Sequence, residues 1–291
     1  MKKKIIITKI FPICILILFV SIIIILISLI SYSASNQKKP EETLNVSHEF
    51  ATLEIKEDTP KASVSEPVLC LKRAQYKTIN SDFYVETSGK TVAKTIFDAT
   101  VSIKGIRIKK NNNYEILTIS KGIISFAKLK YLDLDSNVYK FIETDKISDD
   151  LTPDFSSKTS QTSDKDKYLS EFGTISNSFT NYVINDQTIL DAKKEIIDDN
   201  VLVTVSLNPK SNYAPFYYKN EIKSSSKTSS FPNFTSIELK VLMDDSYKVL
   251  KVDTSESYVI NKFLPISTTT NVTDIFKYDN VEFDNKLDLL K

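Results

Sequence analysis

One segment limits what this chain can be before any other residue is considered. From Ile10 to Tyr32 it reads IFPICILILFVSIIIILISLISY, 23 residues without a charge. Lys9 precedes the run and the next charged side chain is Lys38, so the uncharged interval covers 28 residues. At ~1.5 Å per helical residue the run spans roughly 34 Å, enough for the ~30 Å hydrocarbon core of a bilayer. Pro12 falls in its first turn, where the missing N–H has no intrahelical bond to lose. A helix that is apolar all round, with no polar face to turn to water, reads as a transmembrane segment.

A cleaved secretory signal carries an apolar stretch of about 7–15 residues before a small-x-small site. Ser33-Ala34-Ser35 would serve as that site. The run is longer than that range, which favours an uncleaved signal anchor. Lys2, Lys3, Lys4 and Lys9 stand before it, and positive flanks stay inside. The expected layout is a cytoplasmic basic tail at 1–9, a single-pass anchor at 10–32, a tether at 33–67 and an extracytoplasmic domain at 68–291. The membrane is thus the first expected partner, through Ile10 to Tyr32. Cys14 lies early in the apolar run rather than after it, unlike a lipidated cysteine.

Charge and composition exclude several function classes. The whole chain carries +1, and beyond residue 35 there are 34 basic residues against 37 acidic ones. That balance provides no footprint for nucleic acid. The four glycines (Gly89, Gly105, Gly122, Gly173) are all more than ten residues apart, so no phosphate-cradling glycine loop exists. One His and two Cys supply no zinc cluster, and no cofactor is expected. Cys70 is the one cysteine outside the apolar run, so no intrachain disulfide is expected.

Beyond the tether the pattern is mainly period two. Asp82–Ser88, Thr100–Lys109 and Tyr114–Ile119 read as strands, the last two joined through Asn111-Asn112-Asn113. Around Gly105 the alternation of Val101 and Ile103 slips to Ile106 and Ile108, which predicts a bulge. Ile123–Leu132 and Val138–Glu143 form a further pair. The polar stretch 148–167 marks a subdivision. Tyr168, Phe172, Ile175 and Phe179 follow helical spacing. Strands follow at Thr188–Ile197 and Val201–Leu207, with a short helix at Tyr213–Lys223. The clearest hairpin is Ser236–Met243 with Tyr247–Asp253, and Ser257–Ile260 and Thr273–Tyr278 complete the set. Closely spaced strands pair antiparallel. The fold class is therefore α+β: one N-terminal transmembrane helix, then a mainly antiparallel ectodomain sheet with a few short helices, leaning to one continuous sheet.

Few constellations carry chemistry. Asp133, Asp135 and Asn137 resemble the opening of a calcium loop, but position six is Val138 and position twelve is Thr144, where a calcium loop needs Gly and Glu. Asp149-Asp150, Asp198-Asp199 and Asp244-Asp245 each sit at a turn. Adjacent residues on a strand point to opposite faces, so none is a catalytic dyad. Cys70 with His48 is the sole Cys–His combination, and His48 lies in the tether, a poor platform for catalysis. No catalytic residue is assigned. Phe216, Tyr217, Tyr218, Phe231 and Phe234 are aromatics grouped either to line a hydrophobic groove or to fill a core.

Two stretches, SDFYVETSGKTVAKTIFDATVSIKGIRIKKNNNYEILTIS (81–120) and SIELKVLMDDSYKVLKVDTSESYVI (236–260), the latter with Glu256-x-Tyr258, resemble the strand pairs and closing strand of the bacterial lipoprotein-carrier half-barrel (LolA-like) superfamily. That resemblance implies a long curved antiparallel sheet over a few helices, with acyl chains bound in the concavity. The lipoprotein members' lipobox is missing here. Two functions follow as expectations: a non-catalytic binding or interaction module of the bacterial cell envelope, or a carrier or sensor for a hydrophobic ligand held in a cup. The cup requires an apolar concavity of several hundred cubic ångströms.

Overall fold

A computed structural model describes residues 67–95, 98–122, 125–164, 168, 178–185, 187–211, 214–225, 230–261, 265–283 and 290, with side chains left aside at 216, 217, 224 and 225. The apolar run 10–32 and the tether to residue 66 lie outside the described residues. So does the helix expected over 168–179, apart from Tyr168, Ser178 and Phe179. Among the described residues no helix is long and apolar enough to cross a membrane.

Helix α1 (Pro67–Ile79) opens the described chain. Pro67, the last tether residue by sequence, is its first residue, a position where a fixed φ helps and no N–H is missed. Cys70, Leu71, Ala74 and Thr78 recur at helical spacing and are buried, while Lys77 in the last turn complements the negative helix end. Then come β1 (Phe83–Lys94), β2 (Asp98–Lys110), β3 (Asn113–Lys121), β4 (Phe126–Asp133), β5 (Val138–Thr144), β6 (Gln161–Ser163), β7 (Ile189–Ile197) and β8 (Asn200–Leu207). Helix α2 (Phe216–Ser225) and strands β9 (Asn233–Met243), β10 (Val249–Asn261) and β11 (Pro265–Lys277) complete the order.

All eleven strands form one antiparallel sheet, in the order β6-β5-β4-β3-β2-β1-β11-β10-β9-β8-β7. Two meanders thus meet along one seam, β1 against β11, running from Tyr84 opposite Lys277 to Lys94 opposite Ser267. Both halves of the chain contribute to the same sheet. Its turns use the residues the sequence marks. Asn111 has φ 54°, and Asp198 and Asp199 have φ 47° and 65°, the left-handed pair that a two-residue hairpin with matching twist demands. At the β9–β10 turn the Asp244 carboxylate accepts the N–H of Ser246 at 2.8 Å and of Lys248 at 2.9 Å.

The bulge expected at Gly105 is absent. β2 runs in unbroken register with both neighbours, Gly105 opposite Thr87 and Thr118. The apparent slip has another cause: the outer face of β2 is exposed at Thr100 and Lys104 and gains cover only from Ile106 on. Val101, Ile103 and Arg107 point inward, while Ile106 joins an outer cluster and Ile108 is fully buried. Gly105 is needed for space, since a Cβ there would sit 3.1 Å from the Leu117 carbonyl oxygen and 3.3 Å from Thr87 Cβ. The outer cluster places Leu117, Ile119, Leu129 and Ile142 beneath Ile147, Leu151, Phe155 and Leu290. The polar stretch 148–167 therefore contributes cover to the sheet's outer face, and its β6 pairs with β5.

The main core lies on the inner face of the other half. Val203, Val205, Leu239, Val241 and Met243 of β8 and β9 pack with Cys70, Leu71 and Ala74 of α1 and Ile222 of α2. The alternation of Ile237, Leu239, Val241 and Met243 places all four in that core, the pattern of a strand with one face dry.

Candidate functional site

Between this core and a smaller inner cluster of Tyr114, Leu132, Tyr139 and Tyr168, the described residues leave part of the sheet's inner face unfilled. A cavity of about 480 Å³ lies there, lined by inward residues of β1 to β4, β10 and β11 and bordered by residues 179–182 and by Tyr218, Glu221 and Ile222 of α2. The cause is side-chain size. Along the middle strands many inward positions are small, Thr87, Thr91, Ala93, Ala99, Gly105, Thr118 and Ser120 among them. On β8 and β9 the same face carries Val, Leu and Met. Small residues in the centre and large ones on the flanks leave a hollow, and Val101, Ile103, Ile116, Ile260, Ile266 and Phe126 make its wall mainly apolar.

The polar groups fall in two places. At one end the cross-strand row Lys128, Thr118, Gly105, Thr87, Asp274 runs beside the row Lys130, Ile116, Arg107. Arg107 lies over the rings of Phe83 and Phe276, 5.3 and 5.9 Å from their centroids. Burial holds the Asp274 carboxyl above its ordinary range, against the downward pull of the Arg107 charge. Thr87 donates to Asp274 at 2.5 Å. Lys128 pairs with Glu143 at 2.9 Å, and Lys130 lies over the Tyr168 ring.

The second group is centred on Glu256, which is 2% exposed. It stands in the row Val101, Thr91, Thr270, Glu256, with Ala99, Ala93, Thr268, Tyr258 alongside. The hydroxyls of Tyr182 and Tyr218 both donate to its carboxyl, that of Tyr218 at 3.1 Å. Tyr182 and Tyr218 pack edge to face at 5.4 Å, and Phe234 lies 6.1 Å from Tyr182 and 5.2 Å from Tyr258. Burial pushes Glu256 up to about 7, against the downward pull of the tyrosine hydroxyls and Thr270, and the neighbouring Glu221 adds to the rise. Both tyrosines are held well above their ordinary value by burial and by Glu256.

The aromatics singled out by sequence separate in the structure. Tyr218 lines the cavity, whereas Phe234 backs the Glu256 cluster from the core. Phe231 lies under the Lys223 ammonium, 4.5 Å from ring centroid to nitrogen. The side chains of Phe216 and Tyr217 lie outside the described residues. The calcium-like triad is occupied with its own turn. Asp133 accepts the N–H of Ser136 at 2.9 Å, Asp135 accepts the Asn112 side-chain amide at 2.8 Å, and Asn137 takes φ 56°. Among the described residues no three His, Cys, Asp or Glu side chains gather as a metal site. Cys70 is fully buried in α1, and burial raises its thiol, the opposite of an activated nucleophile. His48 lies outside the described residues. Sequence reasoning did not identify the small inward residues of the cup, which carry no marker of their own. Glu256 and Tyr258 did stand out, as the quoted pair of the closing strand.

No family model and no curated protein matches the sequence. Among solved structures, a DUF1329 family protein from Desulfovibrio piger matches 78% of this chain and 100% of its own, at 11% identity and a TM-score of 0.29. A LolA superfamily protein from Nitrosomonas europaea matches 76% of this chain and 96% of its own, at 12% identity and a TM-score of 0.26. At such TM-scores neither neighbour speaks to what the cavity holds.

Proposed function

We propose that this chain is a non-catalytic binding protein of the bacterial cell envelope whose cup holds a hydrophobic, acyl-chain ligand, as carrier or sensor. The observation that carries the reading is the mainly apolar cavity of about 480 Å³ on the inner face of the sheet, inside the ~300–1,000 Å³ range of ligand sites. A tail laid along this wall removes apolar surface from water on both sides, at about 0.8 kcal/mol per buried methylene. The small inward residues Thr87, Gly89, Thr91 and Ala93 run along β1 as a lane, which suits an extended chain better than a compact ring. The uncharged run at 10–32 anchors the chain in the cell membrane, N-terminus inside, and presents the cup outside, next to a source of acyl chains.

The test uses the full chain in its membrane and a long-chain alcohol bearing a diazirine near the end of its tail. After irradiation, mass spectrometry maps the labelled peptides. Label is expected on inner-face residues of β1, β2, β10 and β11. Ala99→Phe, which projects a ring into the cavity from a half-buried site, removes most of that label. Label spread over the outer face, or unchanged by Ala99→Phe, refutes the reading.

A further inference from the structure

We propose that the ligand carries an anionic head, a carboxylate or a phosphate, which sits on the inner face among Lys128, Lys130 and Arg107 while its acyl chain follows the lane of β1. This rests on the ligand-binding reading and names the ligand class of the same site.

Strand register brings the three cations to one end of the cavity. Lys128 and Lys130 are two residues apart on β4, so both project from the same face, roughly 7 Å apart. Arg107 stands in the row of Lys130 with Ile116 between them, two strand spacings or roughly 10 Å away. All three line the cavity. Lys130 is 6% exposed, and the Lys128 side chain keeps 12%, so neither is a solvated surface lysine. Polar groups in a mainly apolar ligand cavity are few, and they fix which way round a ligand lies.

The two sides lean apart. Lys130 lies over the ring of Tyr168, which packs on Tyr139 of β5. Arg107 lies over Phe83 and Phe276 of β1 and β11. The wall between them holds Ile116, Thr118 and Gly105. An oxyanion placed over that wall has a cation on either side and the Thr118 hydroxyl beneath, the charged and hydrogen-bonding partners that a carboxylate or phosphate needs.

The acids around the cavity sort to the other side. Glu221 of α2 and Glu256 of β10 stand near each other; the first accepts the Asn181 amide at 3.4 Å and the second the two tyrosine hydroxyls. Asp274 accepts the Thr87 hydroxyl, and with Glu221 it lies within electrostatic reach of Arg107. On β4, Lys128 and Lys130 face β5 at Glu143 and Phe141, so two cations meet one carboxylate. The β4 side is therefore the positive one, and an anionic head is drawn there and away from Glu256. From Thr87 the lane leads off to Ala93, six residues or roughly 20 Å, which accommodates one acyl chain of the ~15 Å that fills half a bilayer core. Ile260 and Ile266 line its far end.

The experiment is a competition at mildly alkaline pH, where both acids are charged. The full chain in phosphatidylcholine nanodiscs is labelled with the photoreactive long-chain alcohol. Unlabelled competitors of equal chain length are titrated in: the alcohol, the fatty acid, the alkyl phosphate and the alkyl trimethylammonium. Each potency is expressed per concentration in the bilayer, measured in protein-free discs, so that partitioning cancels. The better of the two anions is expected to displace label at about a tenth of the alcohol's concentration, the worth of one charge-assisted hydrogen bond. It also names the head. The trimethylammonium is expected to be weakest. Lys130→Met, of similar length without the charge, should remove most of the anion's advantage over the alcohol, and Arg107→Lys, which keeps the charge, should retain most of it. The wild-type preference is read without any substitution, so a variant that fails to fold leaves the test intact. Anions no better than the alcohol, a preferred cation, or an advantage unchanged in a folded Lys130→Met overturns the head site. A cup that takes no label from the alcohol and yields to no competitor overturns the binding reading itself, and so the two failures are told apart.

Discussion

Replacing Glu256 by Gln should remove a pH dependence from the stability of the whole fold. The carboxyl titrates near 7 in the folded chain, raised from 4.5 by burial first and by Glu221 in addition. Below about 4.5 it is protonated whether the chain is folded or not, and pH has no effect through it. Between 4.5 and 7 the unfolded chain has released the proton while the folded chain still holds it. The native state then binds more protons, so stability falls as pH rises. Each unit is worth about 1.36 kcal/mol, so the window amounts to on the order of 3 kcal/mol, levelling off above 7. Asp274 is also raised by burial and acts with the same sign, so the informative quantity is the difference between wild type and Glu256→Gln, in which every other group cancels. Urea titrations of the full chain in nanodiscs, read by pulse proteolysis from pH 5 to 8, give that difference directly. Wild type should lose on the order of 3 kcal/mol more than the variant over the range. Parallel curves for the two proteins would refute the argument, since they would mean that the folded chain solvates this carboxyl as water does.

Other consequences concern packing and turns. Leu239→Ala empties a fully buried site in the main core and should cost about 3 kcal/mol in the same titration. Gly89→Ala places a Cβ against the Asn271 carbonyl oxygen and 2.8 Å from Val272 Cα at the β1–β11 seam. Backbone must move to accept it, and a loss of about 2 kcal/mol is expected. Asp199→Gly relieves a left-handed residue at the β7–β8 turn and should stabilise by about 0.5–1 kcal/mol. Lys121→Met breaks the exposed pair with Asp149 at 2.6 Å and should change stability by less than about 1 kcal/mol.

Where period two was clean, the sheet was legible before any coordinates. The β9–β10 hairpin shows why: one face of β9 is dry and the other wet, so its residues alternate in kind, and Asp244 and Asp245 mark the turn. The misreading at Gly105 came from the opposite situation. The outer face of β2 is covered only from Ile106 on, so its apolar residues change phase there and the pattern mimics a register slip. Helix α1 was missed because Arg73, Lys72 and Lys77 dilute its apolar stripe. Arg73 is buried nonetheless, donating to the Tyr247 hydroxyl at 3.1 Å and lying 5.1 Å over its ring, a tertiary arrangement that local sequence does not encode. The cup was hardest to see. It is defined by what its residues lack, and a Thr or Ala facing a cavity looks the same in sequence as one facing solvent.

That last point bears on how the fold and the site depend on each other. In a sheet of this length the centre would ordinarily hold the largest side chains, because burial there removes the most apolar surface from water. Here much of the centre is Gly105, Ala93, Ala99 and a run of threonines, while bulky residues gather under α1 on one side and around Tyr168 on the other. The flanks are packed on both sides of the hollow, so the fold does not need the hollow filled to stand. Among the described residues this apolar wall has no side chains packed over it, an arrangement that a separate apolar chain would complete. The buried Glu256 carboxyl at its edge has the same character. A leucine at 256 would take away the acceptor that the buried hydroxyls of Tyr182 and Tyr218 share, leaving two donors short of a partner at about 1–3 kcal/mol each. Glu256 keeps them bonded and places a group that titrates near neutral pH at the wall of the cavity.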